Sequence, residues 1–260
     1  MTPRPLLYAC VGILFVLVMG GVLMHPPSAD AIRASEPPSL EVWLGTSPYG
    51  HNMLPLLSYA LGATAAQSLW AAVLTLGISC ALGAVAAMTA GRWPDRVIST
   101  VSRVLDSLGV LILGICILAV IPSLDHWTLG ALLSLIAWPS MSTVIRTEML
   151  SVLQTDYAEA ARAIGVGRFR LFRVHVLPAI WPRLQFLFFG VFTGFIAVLA
   201  AISFLGAGSA SEPTIGSLLY DSLSYLRTAP WFFVECLTAL ALLLILAVST
   251  SPLLLGPDRR

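Results

Sequence analysis

Residues able to carry chemistry are few in this chain, and their spacing decides what they can do. Four cysteines, Cys10, Cys80, Cys116 and Cys236, and four histidines, His25, His51, His126 and His175, lie far apart with no C-x-x-C pattern, so no metal or redox centre is spelled out. Each cysteine falls in an apolar run and reads as a small buried hydrophobe. All 14 basic residues are Arg. A P-loop needs a Lys to reach the β- and γ-phosphates of a nucleotide, so this chain does not hydrolyse ATP by that route. No nucleophile is paired with a base in any motif context, which argues against an enzyme. A formal net charge of +1 offers nucleic acid no electrostatic footprint.

The dense pattern is Asp156-Tyr-Ala-Glu-Ala-Ala-Arg-Ala-Ile-Gly165, followed by a stretch that ends at Leu177-Pro178. Tyr157 to Ile164 are mostly good helix formers, with Asp156 as the expected N-cap and its carboxylate beside the positive helix end. Gly165 is expected to stop the helix in the left-handed conformation that Gly tolerates. A second short helix over Arg168–Val176 would carry Arg168, Arg170 and Arg173 on one side and Phe169, Phe172 and Val176 on the other, with Pro178 ending or kinking it. Small Ala160 and Ala161 would let the first helix lie close in a partner groove, while Glu159 and Arg162 offer charge pairs at its edges. A basic helix resting on lipid headgroups is the competing reading of the same arginines.

The elements that must position this loop follow from composition. Hydrophobic residues make up 58% and charged residues 10%, against roughly 45–50% and about 25% in soluble domains, so lipid is the solvent. A bilayer core of about 30 Å needs roughly 20 apolar residues in a helix. Six segments qualify: Leu6–Met24, Ala63–Ala90, Val97–Ile121, Thr128–Ile145, Leu184–Leu205 and Trp231–Leu255. The first is read as a retained span, although Ser28-Ala29-Asp30-Ala31 loosely resembles a signal cleavage site. The chain thus divides into an N-terminal helix with an outer segment (1–62) and a five-helix core (63–260) holding the loop at about 146–183. Placing both termini inside leaves only Arg33 and Arg227 of the arginines outside, as the positive-inside rule prefers.

Polar groups inside the spans are costly and need partners. Arg103 and Asp106, three apart, are expected to pair on one helix face. Glu235 lies near the outer end of the last span. Gln67, Ser68, Ser134, Ser140, Ser142 and Thr143 are expected to bond helix to helix rather than line a pore. Trp43, Trp70, Trp93, Trp127 and Trp231 fall near span ends, where indoles anchor.

Glu159-Ala160-Ala161, then Gly165 after three intervening residues, and then Leu177-Pro178 resemble the E-A-A loop of inner-membrane permeases of ATP-binding-cassette importers. Trp43-Leu44-Gly45-Thr46 with Gly50, His175-Val176-Leu177-Pro178, Ser203-Phe204-Leu205-Gly206-Ala207-Gly208, and Tyr225 with Ala229-Pro230-Trp231 are similar to motifs of the dipeptide, oligopeptide and nickel branch. The likeness runs from about Trp43 to Trp231. Ser47, His51 and Asn52 depart from the branch's usual Asp, Arg and Asp, and Ile215-Gly216 stands where Trp-Gly is usual. The resemblance implies an all-α type I permease of about six spans, with the 156–165 loop as a coupling helix between the fourth and fifth spans. It also implies a homologous permease partner, two ATPase subunits holding ATP and Mg, an extracytoplasmic solute-binding protein, and a place in a bacterial cytoplasmic membrane. No cofactor is expected on this chain itself, and its cargo would be peptides or nickel and metal chelates. An ion-gradient-driven carrier acting alone is the rival; carriers of that kind tend to show repeated halves and broken helices at midplane, and neither signal is clear in the sequence.

Overall fold

A knotted turn at 42–52 launches the first helix. In a computed structural model, which describes residues 35–39, 42–121, 125–163, 165–206 and 213–254, Gly45 and Gly50 take φ of +69° and +82°. The Ser47 and His51 backbones bond each other, and Met53 N–H reaches the Gly45 carbonyl. Asn52 Oδ1 then accepts from Leu54 N–H as the helix N-cap. Asn52, one of the departures noted above, thus keeps a capping role that needs only a side-chain oxygen. The helix so started, α1 (Met53–Met88), is 36 residues long and begins ten residues before the expected span. At about 1.5 Å per residue it is close to 54 Å, far more than a bilayer core.

Among the described residues eight further helices follow: α2 (Trp93–Leu108), α3 (Val110–Val120), α4 (His126–Leu153), α5 (Asp156–Ala163), α6 (Arg168–Leu171), α7 (Leu177–Phe204), α8 (Ile215–Ser224) and α9 (Pro230–Leu254). Among the described residues four stretches are long and apolar enough to cross a membrane, five if the bent pair α2–α3 is one span. The expected span Leu6–Met24 lies outside the described residues, as do Arg4, Arg33, Arg259, Arg260, Ala207 and Gly208. The expected straight span Val97–Ile121 is instead two helices bent by 76°, because Gly109 at φ +72° breaks the ladder between them. Between the expected spans Leu184–Leu205 and Trp231–Leu255 lies α8, started by a reciprocal capping box between Thr214 and Ser217.

α1 is the hub, packing on α4, α7, α8 and α9. Its buried face is made of small residues, among them Ala60, Thr64, Ser68, Ala71, Ala72, Ser79, Gly83 and Ala87. Small residues let backbones approach where lipid supplies no hydrophobic drive between helices. At Gly83 a Cβ would come 3.0 Å from the Ser142 carbonyl. Three apolar clusters stack along the bundle. Met53, Leu56, Ile215 and Phe232 fill one end, Leu129, Leu133, Phe195 and Leu199 the middle, and Ile145, Met149, Val176 and Ile180 the end that carries the arginine-rich loop.

Candidate functional site

The loop hangs from the end of α4. Thr155 turns the chain: its carbonyl accepts from Ala158 and Glu159 N–H, and its hydroxyl donates back to the Val152 carbonyl. Asp156 is therefore the first residue of α5 rather than its cap, since the Thr155 carbonyl already takes the first helical bonds. Asp156 and Glu159 both occupy the first turn, where carboxylates complement the helix dipole. Both are exposed, while Ala158 is 2% exposed and faces the bundle. Ala160, Ala161 and Arg162 continue the helix; their side chains lie outside what the structure describes. Gly165 follows at φ +83° with open space where a Cβ would stand, so the left-handed stop expected there is present.

The second half of the loop departs from expectation. No separate helix ends at Pro178. α6 passes through a five-residue π turn, Phe172–Val176, directly into α7, and Leu177 N–H closes the wider turn onto the Phe172 carbonyl. The π turn resolves the proline problem: Pro178 has no N–H and its ring crowds the carbonyl four residues back, and a widened turn relieves both. Leu171 and Val176 are buried and Leu177 packs beside them, while Arg170 and Arg173 point to solvent. Leu171 was not among the residues assigned to the apolar side.

Two ion pairs brace the helices that carry this loop. Arg146 on α4 donates through Nε and Nη2 to both carboxylate oxygens of Asp95 at the start of α2, at 2.6 and 2.8 Å. Asp95, 5% exposed, also accepts from Gly91 N–H and the Ser99 hydroxyl. Five residues before the end of α4, Glu148 pairs with Arg183 of α7. The expected Arg103–Asp106 pair does not form: both side chains are exposed and the Arg103 guanidinium lies by the Thr100 hydroxyl. Separations of 51 and 35 residues hide the two real pairs from any reading based on helical spacing.

Hydroxyls within the spans divide between two uses. Ser79 donates to the Trp138 carbonyl, Ser102 meets Ser142, and Ile215 N–H donates to Thr64, all between helices, though of the residues expected to bond this way only Ser142 is among them. Ser68, Ser134, Ser140 and Thr143 instead fold back onto their own helices, because a carbonyl three or four residues earlier is always within reach. Gln67 Nε2 and Glu235 Oε2 are buried with no hydrogen-bond partner.

Comparison with known proteins places these observations in a family. Residues 79–256 match the model of the binding-protein-dependent transport system inner membrane component. Among similar curated proteins, a dipeptide transport system permease protein of Alkalihalophilus pseudofirmus is 28% identical over 75% of this chain and 64% of its own length. An inner membrane ABC transporter permease protein of Escherichia coli is 31% identical over 82% of this chain and 62% of its own. An oligopeptide transport system permease protein of Mycobacterium bovis is 29% identical over 82% of this chain and 73% of its own. The chain thus spans a little under two thirds of the first two relatives. That family is one of ABC transporter permeases, membrane components that do no catalysis themselves, so the stand-alone carrier falls away. The all-α spans, the left-handed Gly165 beyond a short acidic helix and the match over 79–256 together make this chain a member of the binding-protein-dependent transport system inner membrane component family.

Proposed function

We propose that this chain is one half of the membrane path of an ATP-driven importer of short peptides, moved by ATPase subunits that grip α5. Membership of the permease family gives the class, and the names of the relatives favour peptides over the nickel or metal-chelate cargo. The observation that carries the coupling role is α5 itself: an eight-residue helix with two exposed acids in its first turn, ended by Gly165 and seated by Ala158 on the bundle. Glu159 and Arg162 at its edges, with Ala160 and Ala161 between, suit a groove on a separate protein, and Leu177-Pro178 joins the loop to α7. In this reading the α5 end is cytoplasmic, residues 1–62 supply an extra span and outer segment, and 63–260 form the core. A homologous permease completes the path, an extracytoplasmic binding protein delivers the solute, and ATP with Mg stays on the two ATPase subunits.

The test is reconstitution. Proteoliposomes holding this chain, its partner permease and both ATPases should take up trialanine only when binding protein and ATP are supplied. Uptake by this chain alone without ATP overturns the proposal. Glu159→Arg should lower co-purification of the ATPases, because it reverses the charge presented at the helix start; undiminished co-purification removes Glu159 from the contact.

A further inference from the structure

A cavity of about 210 Å³ lies halfway along the bundle, between α1, α3, α4 and α7. Thr75, Ser140 and Met141 form one side and Gly190 and Gly194 the other, with Val110 at the edge. Gly190 and Gly194 are exposed, and an added Cβ on either would meet nothing within 4 Å. Their spacing puts two bare stretches of α7 backbone on one face. The cavity is therefore a concavity open at the bundle surface rather than a sealed void.

Thr75 gives it chemistry. Its hydroxyl is 0% exposed and has no hydrogen-bond partner. Threonines elsewhere in these helices fold back: Thr64 onto Ala60, Thr89 onto Val85 and Thr193 onto Phe189. A buried hydroxyl left unsatisfied is destabilising, and Thr75 stays so although its own helix offers a carbonyl within reach. Two turns earlier on the same stripe, Gln67 leaves its amide nitrogen equally unpartnered. Val110, on the cavity edge, is the first residue after the break at Gly109. Non-helical backbone at membrane depth is tolerated only where it is buried in protein or lines a watered space.

We infer that this cavity is the point at which the chain touches its passing solute, with Thr75 Oγ1 exchanging a hydrogen bond with a peptide backbone sliding over the glycine floor. The inference rests on the permease reading above and gives it a contact site. A hydroxyl that donates and accepts suits an amide of either polarity, and a floor without side chains tolerates any peptide sequence. The named lining residues carry no carboxylate, imidazole or thiol, and the single thioether of Met141 does not by itself make a metal site.

The test uses the complete transporter in proteoliposomes, with Cys10, Cys80, Cys116 and Cys236 replaced by Ala. Gly194→Cys and Thr75→Cys are probed with a membrane-impermeant methanethiosulfonate, with and without ATP. Labelling of both, at rates that change between nucleotide states, is the expected result. No labelling in any state overturns the inference in favour of a partner helix packed against the glycines, and labelling by a lipid-soluble maleimide alone overturns it in favour of a lipid tail. Thr75→Val should lower trialanine uptake about fivefold, as expected for one lost hydrogen bond, while ATP hydrolysis stimulated by the binding protein persists; unchanged uptake removes the hydroxyl from the contact. Gly194→Leu should block uptake with the subunits still co-purifying, and loss of co-purification identifies a packing surface instead. Failure of the permease reading looks different: the unsubstituted complex would then transport without ATP or not at all, whereas the labelling pattern stays readable.

Discussion

The Asp95–Arg146 pair should be worth measurably more than the sum of its parts. Asp95→Asn keeps the shape and the bond from Gly91 N–H but leaves the Arg146 guanidinium without its counter-charge. Removing one partner of a deeply buried pair costs about 3–5 kcal/mol. Here the Asp95 side chain is 7% exposed and that of Arg146 25%, so water recovers part of the loss and about 2 kcal/mol is the better expectation for either single change. Arg146→Gln strands the carboxylate in the same way. The double variant places an amide opposite an amide and strands nothing, so its cost should also be about 2 kcal/mol, giving a coupling of about 2 kcal/mol. Equilibrium unfolding in mixed micelles, read by tryptophan fluorescence, measures all four corners of the cycle. Additivity within about 0.5 kcal/mol would show that the two residues act independently and refute the brace. The pair Glu148–Arg183 is an internal control: the Arg183 side chain is 59% exposed, so its coupling should fall in the range of surface pairs, about 0–1 kcal/mol.

Three further outcomes follow from local geometry. Gly165→Val places a β-branched residue at φ +83°, a strain of at least about 1–2 kcal/mol, and should uncouple ATP hydrolysis from uptake with normal membrane levels; Gly165→Asn, which tolerates that conformation, should keep most uptake. Gly216→Ala drives a Cβ to 2.4 Å from the Ala200 carbonyl oxygen and 2.7 Å from Ser203 Cβ, so α8 must lift off α7 and thermal unfolding should show a loss of about 1–3 kcal/mol. Tyr49, in the turn before α1, has its hydroxyl pushed up to about 12 by the neighbouring Tyr225 hydroxyl, by burial and by the charge of Asp221. A tyrosine raised in the folded state stabilises fully below about 10, its ordinary value, and ceases to do so as pH rises through about 12; absorbance at 295 nm should lose its latest-titrating tyrosine in Tyr49→Phe.

Hydropathy located the spans because lipid demands long apolar helices, and Gly165 was legible because few residues other than Gly accept a positive φ after a helix. The break at Gly109 was not, since Val110–Val120 is apolar on every side and carries no periodicity to mark a bend. Asp95 was invisible for a different reason. Its partner is 51 residues away, and the one local clue, Gly91-Arg92-Trp93-Pro94-Asp95, reads as an ordinary helix start. α8 had a signal in Thr214 and Ser217, a cap pattern outweighed by the Gly and Ser around it. Thr75 had none: only its failure to bond its own helix distinguishes it from Thr64 or Thr193, and that is a fact of side-chain placement.

The braces explain how a small element could move large ones. α5 touches the end of α4 and the start of the α6–α7 rod. α4 is tied to α2 through Arg146 and to α7 through Glu148, so a displacement applied at α5 is shared among three helices instead of bending one. Sharing is needed because turning a two-state path from nearly all closed to nearly all open takes about 5.5 kcal/mol, more than any one of these contacts supplies. The break at Gly109 then has a mechanical meaning. α2 is held by Asp95 and meets α3 through a single glycine with open space around it, while Gly114 of α3 lies so close to Leu133 of α4 and Ile202 of α7 that a Cβ there would come 2.8 Å from each. Among the helices lining that cavity α3 is the shortest, and it is seated on both α4 and α7 at Gly114, so a push at the arginine-rich end that shifts those two helices would carry Val110 with them and change the shape of the cavity edge.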